Sequence, residues 1–326
     1  MSAAVVIVTY NNLATTLTAC LDALAKQTLL PLRTIVIDNA SPTGFPDDAL
    51  TGHVNVDLIR NPANVGFAAA NNQAIDMLQS DPGIDLVALL NPDARPEPAW
   101  LEQLVQAARN HPDVDAFASR MMLAGTNDIV DGLGDEYHVC GLAWRAFHGM
   151  HLHPSHLIAR EVFGVCAGAG LYRLKTLRDV GGFDADLFCY LEDVDLSFRL
   201  RRLGKRCRYV PNAVVWHTGG ESTRDNVGFR LHYGHRNMIR VYLKNMPTAL
   251  LAVTLPAHVA VNVIALVRSV FRGEFTIVSR AKLCAVREIR AVLAQRRAVL
   301  RTATAGSRQL WSQMSKALWR NIAKVG

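Results

Sequence analysis

Short apolar runs alternate with stretches of helical period through the first 120 residues. Ala4–Thr9 is a β-branched, apolar run of the kind buried in a parallel sheet. Leu13, Leu17, Leu21 and Leu24 recur at helical spacing. Thr34–Asp38 is the next strand and ends in a turn signal, Asp-Asn-Ala-Ser-Pro. Val54–Arg60 reads as a third strand, Ala68–Leu78 as a helix and Leu86–Leu90 as a fourth strand. Pro98–Ala108 follows as a helix and Val114–Ser119 as a strand. This β-α-β-α order predicts an α/β fold, a mostly parallel sheet with helices on both faces. Ligands of such sheets bind beyond the carboxyl ends of the strands. Thr9-Tyr10-Asn11, Asp38-Asn39, Asn61 with Asn64, and Asn91 with Asp93 all fall there, so several strands bring polar groups to one rim.

The pattern then loosens. Gly125–His156 carries His138, His148, His151, His153 and His156 with no clear period, and reads as a loop or short hairpins over the site. The spacing of these histidines suits no standard metal motif. Phe163–Arg173 reads as a small-residue strand, and a helix after Glu192 has Leu196, Leu200 and Leu203 on one face. Ala213–Trp216 is a last strand, ending in His217-Thr218-Gly219-Gly220. The glycines of 164–170 do not form G-x-G-x-x-G after a first strand, so a dinucleotide fingerprint is weak. From Pro247 the character changes. Ala249–Val267 has no Asp, Glu, Lys or Arg, although Pro256, His258 and Asn262 interrupt it, and a basic, helix-prone region follows from Arg268. Two regions result: an α/β domain over 1–246, and a hydrophobic, basic helical region over 247–326.

Composition sharpens this division. Half of the 326 residues are hydrophobic, enough for a sizeable core. The net charge of +7 hides an asymmetry. Residues 1–245 hold 22 Lys/Arg against 26 Asp/Glu, whereas 246–326 hold 13 against 2. An anionic partner is therefore expected for the tail alone. Cys20, Cys140, Cys166, Cys189, Cys207 and Cys284 form no C-x-x-C pair and read as reduced core residues of a cytosolic protein. Val5–Val8 has no basic stretch before it and reads as a buried strand rather than a signal peptide.

Four acidic or imidazole motifs could carry chemistry. Asp93, just after an apolar strand, could ligate a hard divalent cation that bridges a diphosphate; it is equally what a turn or helix cap uses. Glu192-Asp193-Val194-Asp195 suits the first turn of a helix, where the dipole favours acids. Neighbouring side chains diverge there, so one of Glu192 and Asp193 would face a site as a base and the other give support. His217, before two glycines, could be a metal ligand or an ordinary core histidine. Asp38 could accept from a base or ribose, or cap a turn. Taken singly, each motif has an ordinary reading.

Their order is more specific. Val-Val-Ile-Val-Thr-Tyr-Asn-Asn (5–12), Val-Ile-Asp-Asn-Ala-Ser-Pro (36–42) and Asn-Pro-Ala-Asn-Val-Gly-Phe-Ala-Ala-Ala-Asn-Asn (61–72) are followed by Leu-Leu-Asn-Pro-Asp (89–93). Val-Gly-Gly-Phe-Asp (180–184), Tyr-Leu-Glu-Asp-Val-Asp-Leu (190–196) and Trp-His-Thr-Gly-Gly-Glu-Ser (216–222) continue the series. Tyr233 with Arg236-Asn237, and Lys244-Asn245-Met246-Pro247, fit the same pattern. The chain resembles the family-2 inverting glycosyltransferases of GT-A fold, in particular the bacterial rhamnosyltransferase-like branch, over roughly residues 4–247. The resemblance implies a nucleotide-sugar pocket formed by Thr9, Tyr10, Asn11, Asp38, Asn39, Asn64, Asn71 and Asn91. It implies that Asp93, in an Asn-Pro-Asp that replaces the family's usual Asp-x-Asp, binds Mg²⁺ or Mn²⁺, and that His217 joins the metal or diphosphate. Asp193 would be the general base, with Glu192 the alternative. The branch favours dTDP-rhamnose as donor, UDP-linked hexoses and N-acetylhexosamines being the other candidates, and a glycan or lipid-linked acceptor. Gln295-Arg296-Arg297 is followed by no Trp, unlike the Q-x-x-R-W of processive synthases, so addition of a single sugar or a short run is expected.

As a helix, Ala249–Val267 would reach about 28 Å. The expectation is an interfacial helix, ahead of a buried helix and a true span, with the basic residues of 268–324 on anionic lipid at the inner face of the plasma membrane. Aromatic residues are too few in the tail for nucleic-acid stacking. A nucleotidyltransferase would carry a Gly-rich basic loop after the first strand, which Thr9-Tyr10-Asn11-Asn12 lacks. A non-catalytic nucleotide-sugar-binding membrane scaffold would not need Asp93, Asp193 and His217 together.

Overall fold

In the computed structural model the apolar run becomes strand β1 (Ala3–Thr9), with all seven residues buried. The described residues are 1–316 without Thr43, Pro46, Val54 and 220–225. Val54 of the expected third strand, Gly220, Glu221 and Ser222 of the histidine motif, and the basic tail beyond Lys316 lie outside them. The order continues α1 (Ala14–Ala25), β2 (Arg33–Asp38), β3 (Val56–Arg60), α2 (Phe67–Gln79), β4 (Leu86–Leu90), β5 (Ala94–Pro96), α3 (Trp100–Asn110) and β6 (Ala116–Leu123). Short strands follow: β7 (Val130–Gly132), β8 (Asp135–Tyr137), β9 (Ala143–Arg145) and β10 (Arg160–Glu161). Then come β11 (Ala169–Arg173), α4 (Leu174–Val180), α5 (Glu192–Arg202), β12 (Cys207–His217) and α6 (Val227–Asn245). The chain ends in α7 (Thr248–Phe271), α8 (Phe275–Arg287), α9 (Ile289–Thr302) and α10 (Ser307–Gln313).

Alternation within β1 builds two cores. Ala4, Val6 and Val8 face one apolar cluster with Ala70, Ala74 and Leu78 of α2. Ala3, Val5 and Ile7 face another with Leu17 and Leu21 of α1 and Trp100 and Leu104 of α3. A strand covered by helices on both faces explains why β1 is apolar throughout. The main sheet runs β10-β12-β6-β11-β4-β1-β2-β3.

The central sheet is mostly parallel, as expected, with antiparallel strands set into it. β11 lies antiparallel between β4 and β6. It is also shorter than the expected Phe163–Arg173, because 163–168 enters as a loop. β12 is longer than expected and contains a register shift between Val210 and Val214, around Pro211, which cannot donate to a ladder. Because β12 runs parallel to β6, and β11 antiparallel to both β6 and β4, strands β1, β2, β4 and β12 share one direction. Thr9, Asp38, Asn91 and His217 therefore end on one rim, and the loop Cys166–Gly168 enters at that rim too. The histidine-rich middle supplies the β8–β9 hairpin, as expected of short hairpins.

The C-terminal helices share a core with the α/β part. Phe198 of α5, Val241 and Tyr242 of α6, and Leu310 and Met314 belong to one cluster. α7 is inverted in polarity. Its buried side chains are Thr254, His258 and Ser269, at multiples of about four residues. The Thr254 hydroxyl meets Tyr242 Oη at 2.8 Å, and the His258 ring stacks on Tyr242 at 3.8 Å. His258 Nδ1 donates to Cys140 O at 2.8 Å. Val253, Val259, Val263, Ile264, Val267, Val270 and Phe271 face outward, Phe271 being 86% exposed.

Candidate active site

At the β1 and β2 ends, Thr9 and Asp38 sit opposite each other in register. The Asp38 carboxylate accepts from Ser41 N at 3.0 Å, and Ser41 Oγ accepts from Asn11 N at 2.9 Å. Asn11 turns with φ 55°, a conformation that Asn tolerates. Asn12 Oδ1 accepts from Thr9 Oγ1 and Tyr10 N, so the loop after β1 is closed by its own side chains. Asn39 Nδ2 donates to Asn64 Oδ1 at 2.8 Å, and Asn39 Oδ1 accepts from Asn61 Nδ2 and Val65 N. These two asparagines shape the loop into α2. Asn71 is buried and donates to Phe67 O one turn back. Thr9, Tyr10, Asn11 and Asp38 are thus brought to the rim itself, whereas Asn39, Asn64 and Asn71 stand behind it.

Beyond β4, Asp93 meets His217. His217 Nε2 lies 3.2 Å from Asp93 Oδ1 and 3.2 Å from Asn91 Nδ2. The other ring nitrogen lies 2.8 Å from Asp131 Oδ2, which fixes the direction of the imidazole. Asp131 is 1% exposed; its carboxylate also takes the Arg145 guanidinium, and His148 Nδ1 donates to its backbone carbonyl at 2.8 Å and lies 3.2 Å from Oδ1. Burial works against a charged His217, but hydrogen bonds that its ring donates to Asp131 and Asp93 outweigh it and raise the imidazole to about 9. Burial likewise works against an ionised Asp131, yet His148, His217 and Arg145 hold it well below the usual carboxylate range.

Asp131, Arg145 and His148 were not legible as site residues. Asp131 sits in a three-residue strand inside the aperiodic middle, and His148 is one of five histidines whose spacing suits no standard metal motif. The Val-Asp-Gly of 130–132, with a lone acid between apolar and small residues, was the available signal.

The second acidic motif begins α5. Asp193 Oδ2 accepts from Ala167 N at 3.1 Å and Oδ1 from Val194 N at 2.8 Å. Burial raises the Asp193 carboxyl, while the Ala167 and Val194 hydrogen bonds moderate the rise. Glu192 points elsewhere. It is 6% exposed, and Oε2 has no hydrogen-bond partner among the described residues. Burial first, then the charge of Asp193, pushes Glu192 well above the carboxylate range. The two neighbouring carboxylates thus have different surroundings. Asp195 does neither job. Fully buried, it takes Arg199 Nε at 2.7 Å, Lys244 Nζ at 2.8 Å and Asn245 Nδ2 at 2.7 Å, and ties α5 to α6.

One loop joins the two motifs. Gly168 O accepts from Asn91 N at 2.9 Å, and the preceding residue, Ala167, holds Asp193. A Cβ on Gly168 would stand 3.1 Å from Asn91 Nδ2, and one on Gly164 2.6 Å from Ser197 Oγ. The glycines that did not form a dinucleotide fingerprint thus allow close packing beneath the site.

The chain matches the family model described as Glycosyl transferase family 2 over residues 4–181. It is 29% identical over 237 residues to the N-acetylglucosaminyl-diphospho-decaprenol L-rhamnosyltransferase of Mycobacterium tuberculosis, covering 67% of this chain and 76% of that one. The structure of GalNAc-T7 with UDP, GalNAc and Mn²⁺ is similar with a TM-score of 0.56 at 16% identity, covering 74% of this chain and 47% of that one. Mannosyltransferase PcManGT from Pyrobaculum calidifontis, in complex with GDP-Man and Mn²⁺, is similar with a TM-score of 0.51 at 16% identity, covering 95% and 87%. Likeness at this identity speaks to the fold, and the matched family to the activity. The chain belongs to glycosyl transferase family 2 and is a glycosyltransferase of GT-A fold.

Proposed function

We propose that the chain transfers one sugar at a time, with inversion, from a nucleoside-diphosphate donor to a hydroxyl of a lipid-linked or glycan acceptor. Rhamnose from dTDP-rhamnose is the donor proposed, supported by the motif resemblance and by the rhamnosyltransferase among the relatives. The observation that carries the reading is the placement of Asp93–His217 and Asp193 on either side of the Cys166–Gly168 loop.

Thr9, Tyr10 and Asp38 hold the nucleoside, with Asn11 and Asn91 at the same rim. Asn39, Asn64 and Asn71 fix the loop and helix behind it. Asp193 removes the proton from the acceptor hydroxyl as its oxygen attacks the anomeric carbon. The bond from that carbon to the diphosphate oxygen breaks on the opposite face. Burial that raises Asp193 makes it a better base than an exposed aspartate. Glu192, buried behind it, is a supporting group.

Asp93 and His217 suit Mg²⁺ or Mn²⁺, the cation taking the place of the proton that Asp93 otherwise keeps on the ring. A carboxylate oxygen and an imidazole nitrogen converge, with Asp131 orienting the ring. Among the described residues no group of three or more His, Cys, Asp or Glu forms a metal cage. A pair of protein donors leaves coordination positions for diphosphate oxygens. Bound there, the cation would neutralise charge on the departing nucleoside diphosphate.

The enzyme sits on the inner face of the plasma membrane through α7. An 18-residue stretch of that helix has a mean hydropathy of 2.2, and only 11% of it is buried. Arg268, Arg272, Arg280, Arg287 and Arg290 are exposed beside its apolar face or on the helices that follow, matching anionic headgroups.

The test is donor binding and hydrolysis across dTDP- and UDP-sugars, with and without Mn²⁺. Binding of dTDP-rhamnose in preference to UDP-sugars, with Mn²⁺ dependence, is the expected result. Preference for a UDP-hexose would replace the donor and keep the enzyme class. Absence of turnover with any donor and acceptor would support a binding scaffold.

A further inference from the structure

The turn that delivers Glu192 and Asp193 has an unusual backbone. Phe188, Tyr190 and Leu191 have φ of 64°, 67° and 65°, a left-handed region that residues with a Cβ avoid. Such turns persist where their surroundings over-determine them. α6 supplies the surroundings. Asn237 is fully buried, and its Nδ2 faces three carbonyls: Leu187 O at 2.8 Å, Cys189 O at 2.9 Å and Tyr190 O at 2.8 Å.

An amide could face either way, and the neighbouring residue decides it. Arg236 Nη1 donates to Asn237 Oδ1 at 2.9 Å, so the NH₂ must face the turn. The same Nη1 donates to Asp186 O at 2.9 Å. The other edge of Arg236 makes a paired contact with Glu288, Nε to Oε2 at 3.1 Å and Nη2 to Oε1 at 3.0 Å. Glu288 stands at the start of α9, in the C-terminal helices. Arg240 pairs with the same carboxylate.

We propose that Asn237 is a positioning residue for the acceptor base, and that Arg236 and Glu288 fix the direction of its amide. The C-terminal helices then set the catalytic turn as well as the membrane seat. The inference rests on the reading of Asp193 as the base.

The test uses the full chain. Asn237→Asp keeps the shape, removes both amide donors and opposes three carbonyl oxygens with a carboxylate. Sugar transfer should fall in kcat by about a hundredfold, the scale expected when a reacting group is displaced by about 1 Å. Donor affinity should stay within about twofold of wild type, since the donor end of the rim is untouched. Hydrogen exchange at amides 188–191 should rise while that of β1 and β4 does not. Glu288→Gln, a change at a partly exposed side chain, should move kcat and exchange the same way by less. Combined with Asn237→Asp it should add nothing.

Wild-type kcat in a folded Asn237→Asp protein would overturn the proposal. So would unchanged exchange at 188–191, or a rise spread evenly over the sheet. Asp193→Asn measured alongside separates the two readings. If that variant keeps turnover, Asp193 is not the base, yet the exchange at 188–191 still decides whether Asn237 holds the turn.

Discussion

Asp131 offers the sharpest test of the site, because it acts only through His217. Asp131→Asn keeps the volume and removes a charge at a side chain that is almost wholly buried. Two donors converge on Oδ2 of the native carboxylate, His217 Nδ1 at 2.8 Å and Arg145 Nη1, while His148 Nδ1 donates to the Asp131 backbone carbonyl and stands 3.2 Å from Oδ1. An asparagine offers one acceptor oxygen and turns an NH₂ toward donors. Hydrogen bonds to a charged group contribute roughly 1.5–3 kcal/mol each, and an unmatched buried donor costs a further 1–3 kcal/mol. Arg145 and His148 are about one-third and one-half exposed, so their share is screened. The net loss is about 3 kcal/mol, nearly all from the His217 contact. At about 2–4 °C per kcal/mol for a chain of this size class, melting should fall by roughly 6–12 °C. Circular dichroism melts without metal read that directly. The concentration of Mn²⁺ that half-saturates donor binding should rise about 10–100-fold, the usual effect of losing the carboxylate behind a ligand histidine. A melting point within about 1 °C of wild type would refute the stability reasoning. An unchanged Mn²⁺ requirement would refute the role assigned to His217.

Three further outcomes are expected. Asp193→Asn should lower sugar transfer by at least about a thousandfold with donor affinity nearly unchanged, read by product formation and nucleotide titration; wild-type turnover would move the base to Glu192. Val263→Glu with Val267→Glu, both on the outward face of α7, should leave the melting point unchanged and abolish flotation with vesicles containing phosphatidylglycerol; undiminished flotation would place the lipid contact elsewhere. Asp195→Asn should destabilise the protein by about 2 kcal/mol at pH 6, because the folded carboxyl is lowered from 3.8 to about 2. A depressed carboxyl stabilises the fold above its unfolded value and loses that stabilisation as acid protonates it. Burial alone would raise Asp195; Lys244 and Arg199 reverse it. In urea titrations the gap between wild type and variant should therefore close between about pH 4 and pH 2.

The α/β part was legible because its signals are local. A wholly apolar run such as Val5–Val8 can be satisfied only between two helical layers, and Leu86–Leu90 has the bounds its pattern implied. The rim was legible for the same reason, since Thr9, Asp38 and Asn91 are strand-end residues. What failed to show was non-local. Nothing in Phe163–Arg173 indicates that only its last five residues join the sheet, or that they run antiparallel, because direction is set by where the chain returns. Asp131 becomes meaningful only when β7 lies beside β6 and brings it to His217, a residue 86 positions away. Asn237 lies on a helix whose period marks burial and says nothing of three carbonyls in a turn some fifty residues earlier.

The composition shift at Pro247 marks a change of surface more than a change of body. Leu310 and Met314 complete a core begun by Tyr137, Phe198 and Tyr242, and Ser315 pairs with the chain beside His138. A deletion of 247–326 would therefore expose that core and free Arg236 and Arg240 from Glu288, so lost membrane binding in such a fragment would not separate anchoring from unfolding. The polarity of α7 gives the cleaner argument. A helix that packs on water-soluble protein buries its apolar stripe and leaves its polar one outside. α7 does the reverse: Thr254 and His258 face Tyr242 and Cys140 and Ser269 is buried, while valines and Phe271 face out. A buried core helix would have hidden those valines, and a span packed alone in lipid would have had no use for the Thr254–Tyr242 and His258–Cys140 contacts. The proposed seat on lipid satisfies both faces, with the polar side of the helix held to the protein and its apolar side left for the membrane.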